Sequence, residues 1–277
     1  TSGTQTLTAS VSGLDPATIT ATAEAGPPED CLCASGGNQE VTVGEETPIA
    51  PTVKVEDSYG NGVPDIPVQF AETAAPSPGS AGLVSRIVTG GSTVTDANGE
   101  ASPEGWQIGT TPGTYQLTAT VQGLSTPVVF TATASPDEPS TVTKHRGDGQ
   151  SAQVSTPVAI PPAVLVADQY GNGVEGVGIT FSVASGGGTI NGATGSTGAD
   201  GTFAVGSWTL GPEAGTNTLT ATAEEVGSVT FSANGIDLTP AQISKLAGDN
   251  QTAPAGTPVP IAPRVRVTTS DGTPVPG

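Results

Sequence analysis

Val55-Glu56-Asp57-Ser58-Tyr59-Gly60-Asn61-Gly62-Val63 returns in this chain as Val166-Ala167-Asp168-Gln169-Tyr170-Gly171-Asn172-Gly173-Val174. A worn third copy reads Val267-Thr268-Thr269-Ser270-Asp271-Gly272-Thr273-Pro274-Val275. Each copy puts an apolar alternating run before a Gly-rich turn and a second alternating run after it, which predicts a β-hairpin. In the third copy Asp271-Gly272-Thr273-Pro274 replaces Tyr-Gly-Asn-Gly, a departure that leaves the turn type there open. A local pattern that recurs at domain-sized intervals signals an array.

Other markers repeat in step. Gly60, Gly171 and Gly272 lie 111 and 101 positions apart. Thr95-Asp96-Ala97-Asn98-Gly99 returns as Thr197-Gly198-Ala199-Asp200-Gly201, and Trp106-Gln107-Ile108-Gly109 as Trp208-Thr209-Leu210-Gly211, each 102 positions on. Gly3-Thr4-Gln5-Thr6-Leu7-Thr8-Ala9 is echoed by Gly113-Thr114-Tyr115-Gln116-Leu117-Thr118-Ala119 and by Gly215-Thr216-Asn217-Thr218-Leu219-Thr220-Ala221. A period of about 100 residues is the size of an immunoglobulin-like sandwich. The order of markers predicts two complete modules, 26–136 and 137–236. Residues 1–25 read as the closing strands of a preceding module, and residues 237–277 as the opening strands of a following one. The chain is thus either a window on a longer array or a subunit whose copies complete one another's modules; the first reading is preferred, because the two partial stretches lack the middle strands.

Composition agrees with an all-β reading. Apolar residues make up 34% and aromatics 4%; there are 39 Gly and 25 Pro and no Met. Thr, Ser, Val and Ala fill the strand-like segments between dense turn signals. No stretch has a 3.6-residue apolar period, and none is long and apolar enough to span a bilayer as a helix. With 7 basic and 26 acidic residues the formal charge is −19, which repels phosphate backbones and anionic lipid, so nucleic acid is not an expected partner. Two predicted closing strands, Gln5–Ser12 and Thr18–Ala23, open the chain. In the first module Val53, Val55, Ile66, Val68 and Phe70 alternate with polar residues, and Tyr115, Leu117, Ala119, Val128, Phe130 and Ala132 form the closing face. Pro76–Ser80 belongs to a longer loop. The second module's expected core is Val164, Val166, Ile179, Phe181, Val183, Trp208, Leu219, Ala221, Val229 and Phe231. Each such side chain contributes about 1.5–3 kcal/mol when buried.

The Asp-x-Tyr-Gly-Asn-Gly-Val turn, the Asp-Ala-Asn-Gly turn, the Trp-x-x-Gly segment and the Gly-Thr-x-x-Leu-Thr-Ala ending together resemble bacterial immunoglobulin-like repeats of the invasin/intimin type, called Big-1. The resemblance covers nearly the whole chain. It implies tandem all-β immunoglobulin-like sandwiches in an extended array, a non-catalytic role as stalk or fibre of an extracellular bacterial surface protein, and partners that are neighbouring modules of the same or identical chains. A host or cell-surface ligand would be held by domains outside this stretch. The alternative is a ligand-binding segment of an adhesin, or a carbohydrate-binding accessory module of a secreted enzyme.

Few residues offer chemistry. Cys31-Leu32-Cys33 is open to several readings: an intrachain bridge in a tight turn, bonds to other chains, inert thiols, or a metal site for which only His145 could add a further soft ligand. The linker acids Glu29, Asp30, Asp137 and Glu138 are where calcium would sit, with the turn residues Asp57, Asp96, Asn98, Asp168 and Asp200 as weaker candidates; Asp, Asn and Gly are also what turns require. No cofactor is called for beyond that calcium. Trp106 and Trp208 are sandwich-core residues or, alternatively, sugar-stacking platforms. Tyr59, Gly60, Asn61, Gly62 and Tyr170, Gly171, Asn172, Gly173 are structural turns. His145 stands in the single basic cluster without a paired nucleophile, so no catalytic triad is expected. Asn250-Gln251-Thr252 is the one N-glycosylation sequon.

Overall fold

A computed structural model describes residues 2–76, 86–87, 92–270 and 272–275. The chain divides into two units, Thr1–Asp137 and Glu138–Gly277.

The first unit opens with an isolated antiparallel hairpin, β1 (Gly3–Ala9) and β2 (Ala17–Ala23). A sandwich follows: β3 (Asp30–Ser35), β4 (Asn38–Thr42), β5 (Thr52–Glu56), β6 (Pro67–Ala74), β7 (Arg86–Ile87), β8 (Ser92–Val94), β9 (Glu100–Ala101), β10 (Trp106–Gln107), β11 (Gly113–Val121) and β12 (Val128–Ser135). One sheet has the order β4-β12-β11-β6-β8, with β4 parallel to β12; the other has the order β3-β5-β9, and β7 pairs with β10. The first strand ends at Ala9 rather than at the expected Ser12, because Leu14 N–H donates to Val11 C=O and closes a turn there. The expected loop at Pro76–Ser80 lies outside the described residues apart from Pro76.

The second unit repeats this plan. Its strands are β13 (Thr141–Arg146), β14 (Gln150–Gln153), β15 (Ala163–Ala167), β16 (Gly178–Ser185), β17 (Thr189–Asn191), β18 (Thr194–Ser196), β19 (Thr202–Ala204), β20 (Ser207–Thr209), β21 (Gly215–Ala223) and β22 (Gly227–Ile236). They form sheets β14-β22-β21-β16-β18, β13-β15-β19 and β17-β20. A last hairpin, β23 (Gln242–Ala247) with β24 (Arg264–Thr268), completes the unit. The fold is all-β and immunoglobulin-like, two sheets packed over an apolar centre.

Strand alternation supplies that centre, since alternate side chains face the opposite sheet. In the first sandwich Val53, Val55, Val68, Phe70, Trp106, Leu117 and Phe130 are almost wholly enclosed. Ile66 is only half-buried and packs at the margin. In the second, Val164, Val166, Ile179, Phe181, Trp208, Leu219, Ala221 and Phe231 are enclosed, while Val183 and Val229 lie at the edge of the cluster rather than within it. One aromatic pair recurs, Phe70 with Phe130 at 6.4 Å between ring centres and Phe181 with Phe231 at 6.1 Å.

The repeated turn departs from expectation in an informative way. It does not join two strands of one hairpin. After it, Gly62 makes a single bridge to Glu56 and Val63 N–H donates to Val55 C=O; then the chain leaves β5 and enters β6 in the other sheet. Pro64 has no N–H to offer the ladder, and Asp65 follows at φ 62°. Gly176, at the corresponding place in the second unit, has φ 83°. A positive φ here turns the backbone out of the sheet, so both runs keep their alternation while facing the core from opposite sheets. The third copy keeps the backbone closure of the other two. Thr269 N–H donates to Thr273 C=O, as Asp57 does to Asn61 and Asp168 to Asn172, each at 2.9 Å.

The co-repetition of the two turn motifs has a steric cause. A Cβ on Gly62 would stand 1.9 Å from Asn98 O, and one on Gly173 2.2 Å from Asp200 O. The Tyr-Gly-Asn-Gly backbone therefore lies directly on the backbone of the second turn, an approach that only glycine permits.

Candidate functional site

Asp57 is a densely bonded side chain of the first unit. It is buried, and its carboxylate accepts from Tyr59 N–H and Asn61 N–H at Oδ1, both at 2.9 Å, and from Gly26 N–H at Oδ2 at 2.8 Å. The Asn61 amide nitrogen donates to both oxygens at 3.1 and 2.9 Å. These bonds, led by that from Asn61, hold the carboxyl far below its ordinary value. Asp168 repeats the inner set, accepting from Tyr170 N–H at 2.8 Å, Asn172 N–H at 2.9 Å and the Asn172 amide at 2.8 Å. A carboxylate saturated by N–H donors has no lone pair directed at a cation. Asp57 is thus a tether and not a calcium ligand.

The structure does not gather the linker acids into a cation site. Among the described residues no group of three or more His, Cys, Asp or Glu side chains comes together. Glu29 is exposed and uses its backbone N–H on Glu56 C=O at 2.8 Å; Asp30 begins β3. The expectation of calcium held by Glu29, Asp30, Asp137 and Glu138 finds no such cluster.

Cys31 and Cys33 lie in β3, opposite Val55 and Val53 of β5, with both thiols free. The tight turn required for a 31–33 bridge is replaced by regular extended strand, where residues two apart are separated by about 7 Å. Cys31 faces the core, and burial raises its pKa; Cys33 is exposed. Thiol reactivity follows thiolate content and access. Iodoacetamide is therefore expected to add one group per native chain, at Cys33, and two after denaturation, read by intact mass and peptide mapping. Two adducts on the folded chain would contradict the placement of Cys31.

Both tryptophans are enclosed, with 0% exposure, which removes them as sugar platforms. Their indole N–H groups find no acceptor, so packing alone holds them. Tyr59 and Tyr170 are exposed at the turn tips. His145 is exposed on β13. Asn250 is exposed at φ 54° in the turn after β23.

Two repeated devices were missed in the sequence. Gln39, Gln150 and Gln251 each bridge two chain segments. The Gln150 side chain donates to Gly147 O at 2.8 Å and to Ile160 O at 2.7 Å, and accepts from Ile160 N–H at 2.8 Å. Gln39 does the same with Gly36 and Ile49, and Gln251 with Gly248 and Ile261. Their spacings of 111 and 101 match the turn glycines and were a visible signal. The second device is Tyr115, whose hydroxyl donates to Thr111 O at 2.7 Å; buried Asn217 holds the matching place in the second unit and accepts from Gly211 N–H at 2.9 Å.

Acid should loosen these turns. The carboxyls of Asp57, Asp96, Asp148 and Asp200 are all held below their ordinary 3.8, chiefly by donors from Asn61, Glu100 N–H, Lys144 and Thr202 N–H respectively. A depressed folded-state pKa contributes stability that is present above the ordinary value and is lost as pH falls through the folded one. Melting temperature is thus expected to hold from neutrality down to pH about 4 and to drop below it. Asp57→Asn should flatten the acid drop of the first unit while lowering its melting temperature at neutral pH; an acid profile unchanged by the substitution would contradict the tether.

No protein-family model matches the chain, and no curated protein sequence does. Solved structures do resemble it. The Yersinia pseudotuberculosis adhesin InvE is 21% identical with a TM-score of 0.33, over 80% of this chain and 65% of that one. The Escherichia coli adhesin FdeC is 19% identical with a TM-score of 0.48, over 84% and 74%. Invasin, described as a bacterial integrin-binding protein, is 18% identical with a TM-score of 0.36, over 90% and 47%. The chain thus spans less than two thirds of the InvE and invasin structures.

Proposed function

We propose that this chain is a structural segment of tandem immunoglobulin-like modules from an extracellular bacterial surface protein, acting as stalk or fibre rather than as the ligand-binding tip. One observation carries the reading. The same sandwich is built twice with the same aspartate-held turn, glutamine bridge and aromatic pair, and two further hairpins bear the same strand pattern with their apolar faces open. Leu7 and Ile19 are 66% and 58% exposed, whereas Leu117, Phe130, Leu219 and Phe231 at the matching places are 0% exposed. Val265 is 59% exposed, whereas Val53 and Val164 are fully enclosed. On this reading residues 1–25 and 237–277 are the closing and opening strands of further modules, flanking modules 26–136 and 137–236. Repetition of a scaffold without repetition of a reactive cluster suits a spacer: it adds length without adding chemistry. The enclosed tryptophans weigh against the carbohydrate-binding alternative. Deleting residues 26–236 from the natural surface protein tests the reading. Target affinity of the purified protein should be unchanged, while adhesion of cells across a thick surface layer falls. Loss of affinity would overturn the spacer role in favour of a binding segment.

A further inference from the structure

We propose that Asn191–Gly192 is a self-modification site of the second sandwich: water converts the Asn191 amide to a carboxylate through a cyclic imide, and the conversion loosens the β17–β20 pair. The chain holds five Asn-Gly pairs, beginning at Asn61, Asn98, Asn172, Asn191 and Asn234. This reaction meets least hindrance before a glycine, because no Cβ crowds the backbone nitrogen that must close the ring. Sequence alone makes the five pairs equivalent. The fold separates them.

Ring closure needs two free groups, the asparagine side chain and the backbone nitrogen that follows it. The Asn61 amide is held by both oxygens of Asp57, at 3.1 and 2.9 Å, and Asn61 Oδ1 accepts from Ser2 N–H at 2.9 Å. The Asn172 amide donates to Asp168 Oδ2 at 2.8 Å. Beside Asn98 the nitrogen is the restrained group: Gly99 is buried, and its N–H donates to Asp96 C=O at 2.9 Å. Asn234–Gly235 lies inside β22, paired with β21 on one side and with β14 on the other. Asn191 differs from all four. It ends β17, and both it and Gly192 are exposed in the turn that leads to β18. Among the described residues no hydrogen bond holds the Asn191 amide or the Gly192 N–H. Only the Asn191 main chain is engaged: its C=O accepts from Gly206 N–H at 2.8 Å.

The reaction balances with water alone. Gly192 N, on losing its proton, attacks Asn191 Cγ; the Cγ–Nδ2 bond breaks, and Nδ2 leaves as ammonia with that proton. The five-membered imide has two carbonyl–nitrogen bonds, and water opens one of them. Opening at Cγ gives aspartate. Opening at the main-chain carbonyl gives isoaspartate, in which the chain runs on through Cγ and the carbonyl that held Gly206 becomes a free carboxylate. One water is consumed, one ammonia is released, and nothing is oxidised or reduced. The lengthened backbone and the new charge stand where Asn191 pairs with Ser207, one residue from Ile190 opposite the enclosed Trp208. The end of the β17–β20 pair is therefore the part that loosens.

The test uses the purified full chain and is independent of the spacer role. The protein is aged in mildly alkaline buffer made with heavy-oxygen water, then digested and mapped by mass spectrometry. Position 191 should take up heavy oxygen about tenfold faster than positions 61, 98, 172 and 234, because each of those must first give up a hydrogen bond of its side chain or backbone. In urea the five rates should converge. Asn191→Gln, an exposed change, should abolish uptake at 191 and leave the other four rates as they were. Amide hydrogens of residues 206–209 should lose protection in the aged parent and keep it in the aged variant. Five equal rates in the folded chain, a faster rate at another pair, or an order of rates that persists in urea would overturn the site. Unchanged protection at 206–209 would overturn the loosening.

Discussion

Trp208→Ala is expected to melt the second sandwich while leaving the first folded. Trp208 is fully enclosed between the sheets, and its partner across β17–β20 is Ile190. Removing a buried aromatic of this size costs about 3–5 kcal/mol through lost transfer energy and the cavity left behind. For a domain near 100 residues that lowers the melting temperature by roughly 15 °C or more. The chain contains two tryptophans, so the variant's fluorescence comes from Trp106 alone and reports the first sandwich. Circular dichroism should therefore show an early transition that the remaining fluorescence does not follow. Coincident early transitions by both probes would mean that the sandwiches fold as one cooperative body.

The second large effect is expected at a residue with no side chain. In Gly173→Ala the new methyl would stand 2.2 Å from Asp200 O and 2.8 Å from Gly201 N. Neither atom belongs to a flexible side chain that can move aside; both belong to a turn held by Gly201 N–H on Gly198 C=O at 2.8 Å. Forcing atoms into a filled site costs typically 1–3 kcal/mol, and a backbone-on-backbone clash belongs at or above the top of that range, about 3 kcal/mol. Gly198→Ala is the control. Its methyl would meet nothing closer than Asp200 Oδ1 at 3.6 Å, so the change should lie within about 0.5 kcal/mol of the parent. Urea unfolding of the two variants separates them. Equal stability would mean that the contact between the two turns relaxes freely.

Much of the architecture was legible because the chain repeats itself. Alternation with period two places Val164, Val166, Phe181, Leu219 and Phe231 on the inner faces from sequence alone, and all five are enclosed. The crossing between sheets was not legible in the same way. A turn between two alternating runs reads as a hairpin whether the runs pair with each other or with third strands; Asp65 and Gly176 decide the matter through a positive φ that composition does not reveal. The glutamine bridges went unseen for another reason. A glutamine in a polar stretch reads as solvated, and only the matched spacing of Gln39, Gln150 and Gln251 marks it as structural. Of the readings open for Cys31 and Cys33, only the bridge within a tight turn is at odds with the geometry, because the alternation of Val53 and Val55 on the facing strand keeps β3 extended.

The role of Asp57 shows how residue type and environment divide the answer. The sequence marked it as a turn residue and as a weak cation ligand. Only its five N–H contacts show that the carboxylate is already occupied, and that one of those contacts lies in the linker, 31 positions away.

Pulling a single chain by its ends tests the central claim most directly. If residues 26–136 and 137–236 are independent modules in series, force-extension traces will show two separate unfolding events. Each will release about 100 residues, roughly 35 nm of contour length at about 3.5 Å per residue. One event of roughly twice that length, or smooth extension without resistance, would contradict a tandem array of self-standing sandwiches and with it the stalk built upon them.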